Sequence, residues 1–276
     1  MRKKKWIVPV LAVALGLLLT GCSLSPALNV KPAKETTPLV EIGGELIVVN
    51  GELERSGFSQ KDFVLDEETG RIRLMSGAGR TGIDVSSHQG NIDWSAVAGD
   101  GIDFAMLRIG LRGYSEGTLR ADDTFSDNYN GATANGLEVG VYFFSQATSV
   151  QEAEEEADFV LSLLDGRSLE LPVAFDWETI DNDEARTDDV SAETVTDCLI
   201  AFCDRIRAAG YDTAFYCNGM VGYLRYDMTR LQGYTAWYAE YTDWPSFAYA
   251  FDLWQYANTG RVEGIAGNVD LDLWVN

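Results

Sequence analysis

Eight short apolar runs from Gly82 onward limit the fold of this chain more than any other feature. They read GIDVS (82–86), FAMLRIG (104–110), LEVGVYFFS (137–145), LPVAFDWE (171–178), TAFYCN (213–218), YTAWYAEY (234–241), FDLWQYA (251–257) and NVDLDLWV (268–275). Each has the length and the β-branched or aromatic content of a buried strand. Amphipathic segments separate the early ones. SVQEAEEEADFVLSLLDG opens with a capping box, Ser149 and Glu152, and sets Ala153, Ala157, Val160, Leu161 and Leu164 on one face. SAETVTDCLIAFCDRIRAAG does the same with Val195, Leu199, Phe202 and Ile206, and its stop signal is Gly210. Strand–helix alternation over eight strands predicts an α/β closed parallel barrel. After TAFYCN only a short, Gly-interrupted stretch can be helical, and the last two connections are too short for crossover helices. The final strands are therefore expected to be joined mainly by loops.

The first 40 residues do not belong to that barrel. Arg2-Lys3-Lys4-Lys5 precedes an apolar run from Trp6 to Leu19, and Leu19-Thr20-Gly21-Cys22 closes it. A charged start, a short apolar run and a small-residue end read as a secretory signal; the run is short of the roughly 20 residues that span a bilayer. The ending resembles the lipobox of bacterial lipoproteins, which implies cleavage over residues 1–21 and lipid attachment at Cys22. Residues 22–40, with Pro26, Pro32 and Pro38, read as a tether. The expected location is outside the cytoplasmic membrane, lipid-anchored and facing the cell wall. Residues 41–80 hold β-rich runs, with turn chemistry from Asp66 to Gly70, and read as a small hairpin extension of a barrel over 81–276.

Composition excludes some functions. The formal charge is −22, and loss of four basic residues with the signal leaves 17 basic against 43 acidic residues, −26. Such a chain has no basic patch for nucleic acid. Beyond Cys22 the cysteines are Cys198, Cys203 and Cys217, an odd set that reads as free, buried thiols. No metal-ligand spacing is present, and the one histidine, His88, reads as a turn residue. A monomer is expected.

In LPVAFDWE, alternation along a strand puts Asp176 and Glu178 on one face, with Cα atoms about 6.6 Å apart. Val173, Phe175 and Trp177 take the opposite, helix-facing side. The pair ends its strand, where barrel enzymes carry their chemistry. Two such carboxyls suit glycosidic cleavage, one as proton donor and one facing the cationic sugar carbon. Mutual repulsion and an apolar wall should raise one pKa. Asp84 on the first run and Asp270 on the last would join them on barrel closure. Buried acids from several strands are costly without a purpose. Aromatic residues fit a sugar site: Tyr142 and Phe144 on the third run, Trp237 and Tyr241 on the sixth, and Trp254 and Tyr256 on the seventh. Tyr142, Phe144, Trp237 and Tyr241 are the preferred substrate contacts.

Taken in order, GIDVSSHQGNIDW, FAMLRIG, GVYFFSQA, PVAFDWE, AWYAEY and DLWQYANTGRVEGIAGNVDLD resemble glycoside hydrolase family 25 over residues 82–276. These are the lysozymes that act as β-1,4-N-acetylmuramidases on peptidoglycan. The resemblance implies an irregular TIM-like (β/α)5(β)3 barrel, with Glu178 as general acid, Asp176 as its partner carboxylate and Asp84 and Asp270 as further site acids. It also implies retention of configuration, with direct attack by Asp176 and assistance by the substrate's 2-acetamido group both open. Peptidoglycan glycan strands are the implied partner, and neither metal nor organic cofactor is expected. Two positions depart from the pattern: Phe143 stands where many members carry His, and Asp272 where many carry Asn. Two other functions fit the same residues. One is an inactive wall-binding lipoprotein, which would need no convergent acids; the other is a chitinase-like glycosidase, against which Ala174 stands where an aspartate would be expected.

Overall fold

The structure is a computed structural model that describes residues 39–180 and 183–275. The signal segment, Cys22 and the tether to Pro38 lie outside the described residues. Two compact units divide at Glu54 and Arg55. The first contains an antiparallel hairpin, β1 (Leu39–Ile42) and β2 (Glu45–Val48), in which Leu39 pairs with Val48.

The second unit opens with another hairpin, β3 (Phe63–Asp66) and β4 (Arg71–Leu74). Its turn falls where Asp66 to Gly70 predicts it, and the Asp66 side chain accepts from the Glu68 and Thr69 amides. The barrel strands are β5 (Arg80–Val85), β6 (Phe104–Arg112), β8 (Glu138–Ser145), β9 (Val173–Trp177), β10 (Thr213–Asn218), β11 (Thr235–Ala239), β12 (Leu253–Gly260) and β13 (Val269–Trp274), while β7 (Leu119–Ala121) flanks β6. Pairing runs β5–β6–β8–β9–β10–β11–β12–β13 and returns to β5, which closes the barrel. Helices α1 (Trp94–Gly99), α2 (Phe125–Ala134), α3 (Val150–Leu164), α4 (Ala192–Ala208) and α5 (Gly219–Leu224) fill the first five connections. The last two are loops. This is the (β/α)5(β)3 pattern.

One feature differs from the parallel barrel expected. Strand β13 runs antiparallel to both β12 and β5. The segment between β12 and β13 is too short to carry the chain back to the barrel floor, so the strand enters from the mouth. Its first residues are therefore the ones nearest the site.

Local chemistry accounts for the helices. Ser149 caps α3 by accepting the Glu152 amide, but the reciprocal half of the box is displaced: Glu152 accepts from the Thr148 amide at 2.8 Å and from Arg186. Ala153, Ala157, Val160 and Leu164 are buried, Leu161 is half-buried, and the polar Glu156 joins the buried face. In α4 all four predicted apolar positions are buried, and Gly210, at φ 95°, takes the left-handed conformation that ends the segment. Cys198 and Cys203 on α4 and Cys217 on β10 are free and buried.

Alternation sorts the strand residues as expected. Phe175 and Phe143 point outward to Phe202 on α4. Inside, Phe104, Met106, Tyr142, Ala174, Tyr216, Trp237 and Leu253 form the luminal core. Gly82 is required there, because a Cβ would lie 2.1 Å from the Phe104 ring. The β3–β4 hairpin is seated on the barrel exterior by an edge contact between Phe63 and Trp254 and an ion pair of Arg71 with Asp100.

Candidate active site

Strand ends at one mouth supply the acids. Asp176 is the fourth residue of β9, and Glu178 follows the strand. Asp84 lies near the end of β5 and pairs directly with Asp270, the second residue of the reversed β13. A cleft of about 220 Å³ is lined by these four acids together with Tyr142, Phe144, Trp237 and Tyr241. The structure thus gathers into one place the four acids and the four preferred substrate contacts expected from sequence. Trp237 is only 1% exposed and forms floor rather than an open platform. Tyr241 is 52% exposed and stands at the rim.

Trp254 and Tyr256 are corrected: they occupy the outward parity of β12, where Trp254 packs on Phe63 and donates to the Glu240 carbonyl at 3.0 Å. The luminal residue between them is Gln255. With Arg108 and Tyr216, it lines the cleft without having been singled out from sequence. The signal was present in the alternation. Arg108 has the parity of Phe104 and Met106, and Gln255 that of Leu253, so each is a polar residue at a luminal position of an apolar strand. His88 is exposed in a 3-10 turn, Ser87–Gln89.

Hydrogen bonds define the geometry. Tyr216 and Tyr241 both donate to Gln255 Oε1 at 3.0 Å, and Gln255 Nε2 donates to Asp84 Oδ2 at 2.7 Å. Two phenol donors on one side of the amide orient its NH2 toward Asp84. Asp272, two residues deeper on β13, accepts from Trp237 Nε1 at 2.9 Å. Arg108 is the cleft's one cation among its described lining residues. It is held by Asp122 at 2.8 Å and Ser87 at 3.0 Å. The Glu178 carbonyl accepts from Gln146 Nε2 at 2.9 Å; Gln146 Oε1 accepts from Thr187, and its own carbonyl from Arg186. The segment after β9 is thereby tied to the end of β8.

Burial dominates the electrostatics. It pushes the Asp176 carboxyl well above the usual range; the charge of Glu178 adds to this and Arg108 opposes it. Burial likewise raises Asp84, with Asp270 and Asp272 adding repulsion, and moves Asp270 to about 6. Such coupled carboxyls retain protons at pH values where free ones have lost them. The chemistry available is general acid catalysis beside a stabilising carboxylate, within aromatic walls. Among the described residues no cluster of His, Cys, Asp and Glu has the arrangement of a metal site.

The sequence profile of "Glycosyl hydrolases family 25" matches residues 83–265. The chain belongs to glycosyl hydrolase family 25. Lysozyme M1 of Streptomyces globisporus is 30% identical to it over 264 residues, which cover 90% of this chain and 86% of that protein. The autolytic lysozyme of Clostridium acetobutylicum is 28% identical over 193 residues, 69% of this chain. This chain spans about half of that relative, 54% of its length. The modular autolysin LytC from Streptococcus pneumoniae, solved with a synthetic peptidoglycan ligand, superposes with a TM-score of 0.64 at 22% identity, over 88% of this chain and 57% of that one. That likeness carries the fold. Membership makes the chain a glycoside hydrolase of the lysozyme family.

Proposed function

We propose that the protein hydrolyses the β-1,4 bond between N-acetylmuramic acid and N-acetylglucosamine in peptidoglycan, with Glu178 as the general acid. The observation that carries this reading is the convergence of Asp84, Asp176, Glu178 and Asp270 on one aromatic-lined cleft. Glu178 gives its proton to the leaving glycosidic oxygen as the bond to the sugar carbon breaks. The face opposite the leaving group is covered by Asp176 or by the substrate's own 2-acetamido oxygen, and water then adds from the vacated face and returns a proton to Glu178, which gives retention of configuration. One proton between Asp176 and Glu178 suffices. A positive sugar carbon beside Asp176 favours the ionised form there and the protonated form on Glu178. Tyr142, Phe144 and Tyr241 hold the sugar rings above the Trp237 floor.

Family membership and the peptidoglycan ligand of LytC support the choice of substrate. In the cell, the enzyme acts as a monomer from the outer face of the membrane, held by lipid on Cys22; the support is the charged, apolar and Cys-ended sequence of residues 1–22. The deciding experiment is incubation with purified peptidoglycan and identification of the new reducing ends. N-acetylmuramic acid ends that vanish in Glu178→Gln are expected. Reducing N-acetylglucosamine ends, or binding without release, would refute the proposal. Loss of lipid labelling and of membrane fractionation in Cys22→Ala tests the anchor.

A further inference from the structure

The deepest acid of the cluster is not among the four that line the cleft. Asp272 is fully buried, at 0% exposure. Its Oδ1 accepts from Trp237 Nε1, but among the described residues no N–H or hydroxyl donor reaches its buried Oδ2. Asp272 also meets another carboxyl, that of Asp84, from the neighbouring strand β5. Asp84 has its own fixed donor, Gln255 Nε2, oriented by the two phenols. Each carboxyl therefore has one committed donor, and the contact left over joins two acceptors.

The surroundings do not neutralise two charges. Asp272 shares β13 with Asp270, and β5 presents Asp84. From β12 come neutral Gln255 and the phenol of Tyr256; from β11, the indole of Trp237; from β10 and β8, the phenols of Tyr216 and Tyr142. Arg108 on β6 is the nearest cleft cation and is already engaged by Asp122. Among the described residues no Lys or Arg pairs with Asp84 or Asp272. Two ionised carboxyls in contact here would leave two buried charges unbalanced. One proton between them turns the same contact into a charge-assisted hydrogen bond.

We propose that Asp84 and Asp272 hold a single proton between them and that Asp272 is a positioning residue, fixing Asp84 at the cleft through that proton. The positioning role rests on reading the cleft as a glycosidase site; the shared proton does not. An Asn at 272 would offer a permanent N–H donor, whereas Asp272 offers one that titrates. Burial raises both acids, and the bond between them raises Asp84 while it lowers Asp272, so the last proton of the pair is held through neutral pH and is given up only on the alkaline side.

Asp272→Asn tests this in the full chain by two readouts. Wild-type-minus-variant infrared difference spectra at neutral pH should show a neutral carboxylic acid C=O band that fades on the alkaline side. The pH profile of kcat/KM on purified peptidoglycan should keep the position of its acid limb and maximum. The reason is that an Asn amide beside ionised Asp84 leaves the net charge of the pair unchanged. On the far alkaline side the wild type should fall by about two decades per pH unit where the variant falls by about one. A profile displaced bodily to lower pH in the variant would mean that Asp272 is ionised, and would overturn the proposal. So would an absent band, or an alkaline slope that does not change. If the chain proved inactive on peptidoglycan, the infrared measurement would still decide the shared proton, so the two readings fail separately.

Discussion

Two acid-rich regions lie within this barrel, and they treat charge in opposite ways. Beneath the loop that follows β9, Glu152, Glu155 and Glu156 on α3 face two arginines. Arg112 is buried and donates to Glu156 at 2.7 Å, to the Glu152 carbonyl and to the Gly117 carbonyl. Arg186 pairs with Glu152 at 2.5 Å. At the mouth, the cleft acids Asp84, Asp176 and Asp270, with Asp272 beneath them, have Arg108 as the one cation among the described lining residues, and it is committed to Asp122. Burial works against Glu152, yet hydrogen bonds from Arg186 and Thr148 hold it down to about 2. The mouth acids are all raised. Paired acids hold the scaffold, and unpaired ones are poised to carry protons. Acids that arginines answer mark structure here, even where burial raises one of them, Glu156, to about 7; acids without such a partner mark the site.

The sharpest way to break that contrast is Glu178→Gln. Turnover should fall by about 10²–10⁴-fold, as for loss of a general acid, while the melting temperature stays level or rises because like-charge repulsion at the mouth is relieved. Next in size is Arg112→Met, which strands Glu156 without its partner and should cost about 3–5 kcal/mol by chemical denaturation, with little change in turnover per folded molecule. Removing both charges together, by combining Arg112→Met with Glu156→Leu, should recover most of that loss.

Gln146→Leu acts on the bridge between the two regions. It removes the donor to the Glu178 carbonyl and the acceptor for Thr187. A roughly tenfold drop in kcat is expected, equivalent to about 1.4 kcal/mol, with KM nearly unchanged. The smallest effect is on stability against pH, and its sign differs between the regions. Asp270 and Asp272, raised to about 6 and about 8, contribute stability at acid pH that is lost as pH rises from the ordinary carboxylate range through those values. Glu152, depressed to about 2, contributes stability above its ordinary value that is lost as pH falls toward 2. Melting curves of Asp272→Asn and Glu152→Gln across pH should therefore diverge from wild type at opposite ends.

Much of this was legible in the sequence because strand alternation is a strict rule. Once 171–178 is a barrel strand, Asp176 and Glu178 must share the lumen, and Phe175 must meet a helix. The same rule passes over single polar residues in apolar runs. Arg108, Tyr216 and Gln255 each have the right parity, but nothing local separates a site residue from an isolated polar one. The direction of β13 could not be read from its own residues, since a strand's composition does not encode whether its neighbours run with it. The outward turn of Trp254 follows from the same alternation that turns Leu253 and Gln255 inward; what could not be read is the β3–β4 hairpin that covers that face. Asp272 showed only as an unusual acid; its partner, 188 positions earlier by number (272 against 84), becomes visible only when β5 and β13 meet.

That seam has a consequence for the order in which activity can arise. The first and last strands of the barrel join there, and Gln255 reaches Asp84 across 171 positions of sequence. A growing chain that has not yet reached residue 270 has Asp176 and Glu178 in hand but neither Asp270 nor Asp272, and β5 lacks its β13 partner. Long-range pairing of this kind also forms late. The four-acid cleft is thus incomplete until β13 has been made and has paired with β5. The acid cluster is completed by the closing of the barrel itself.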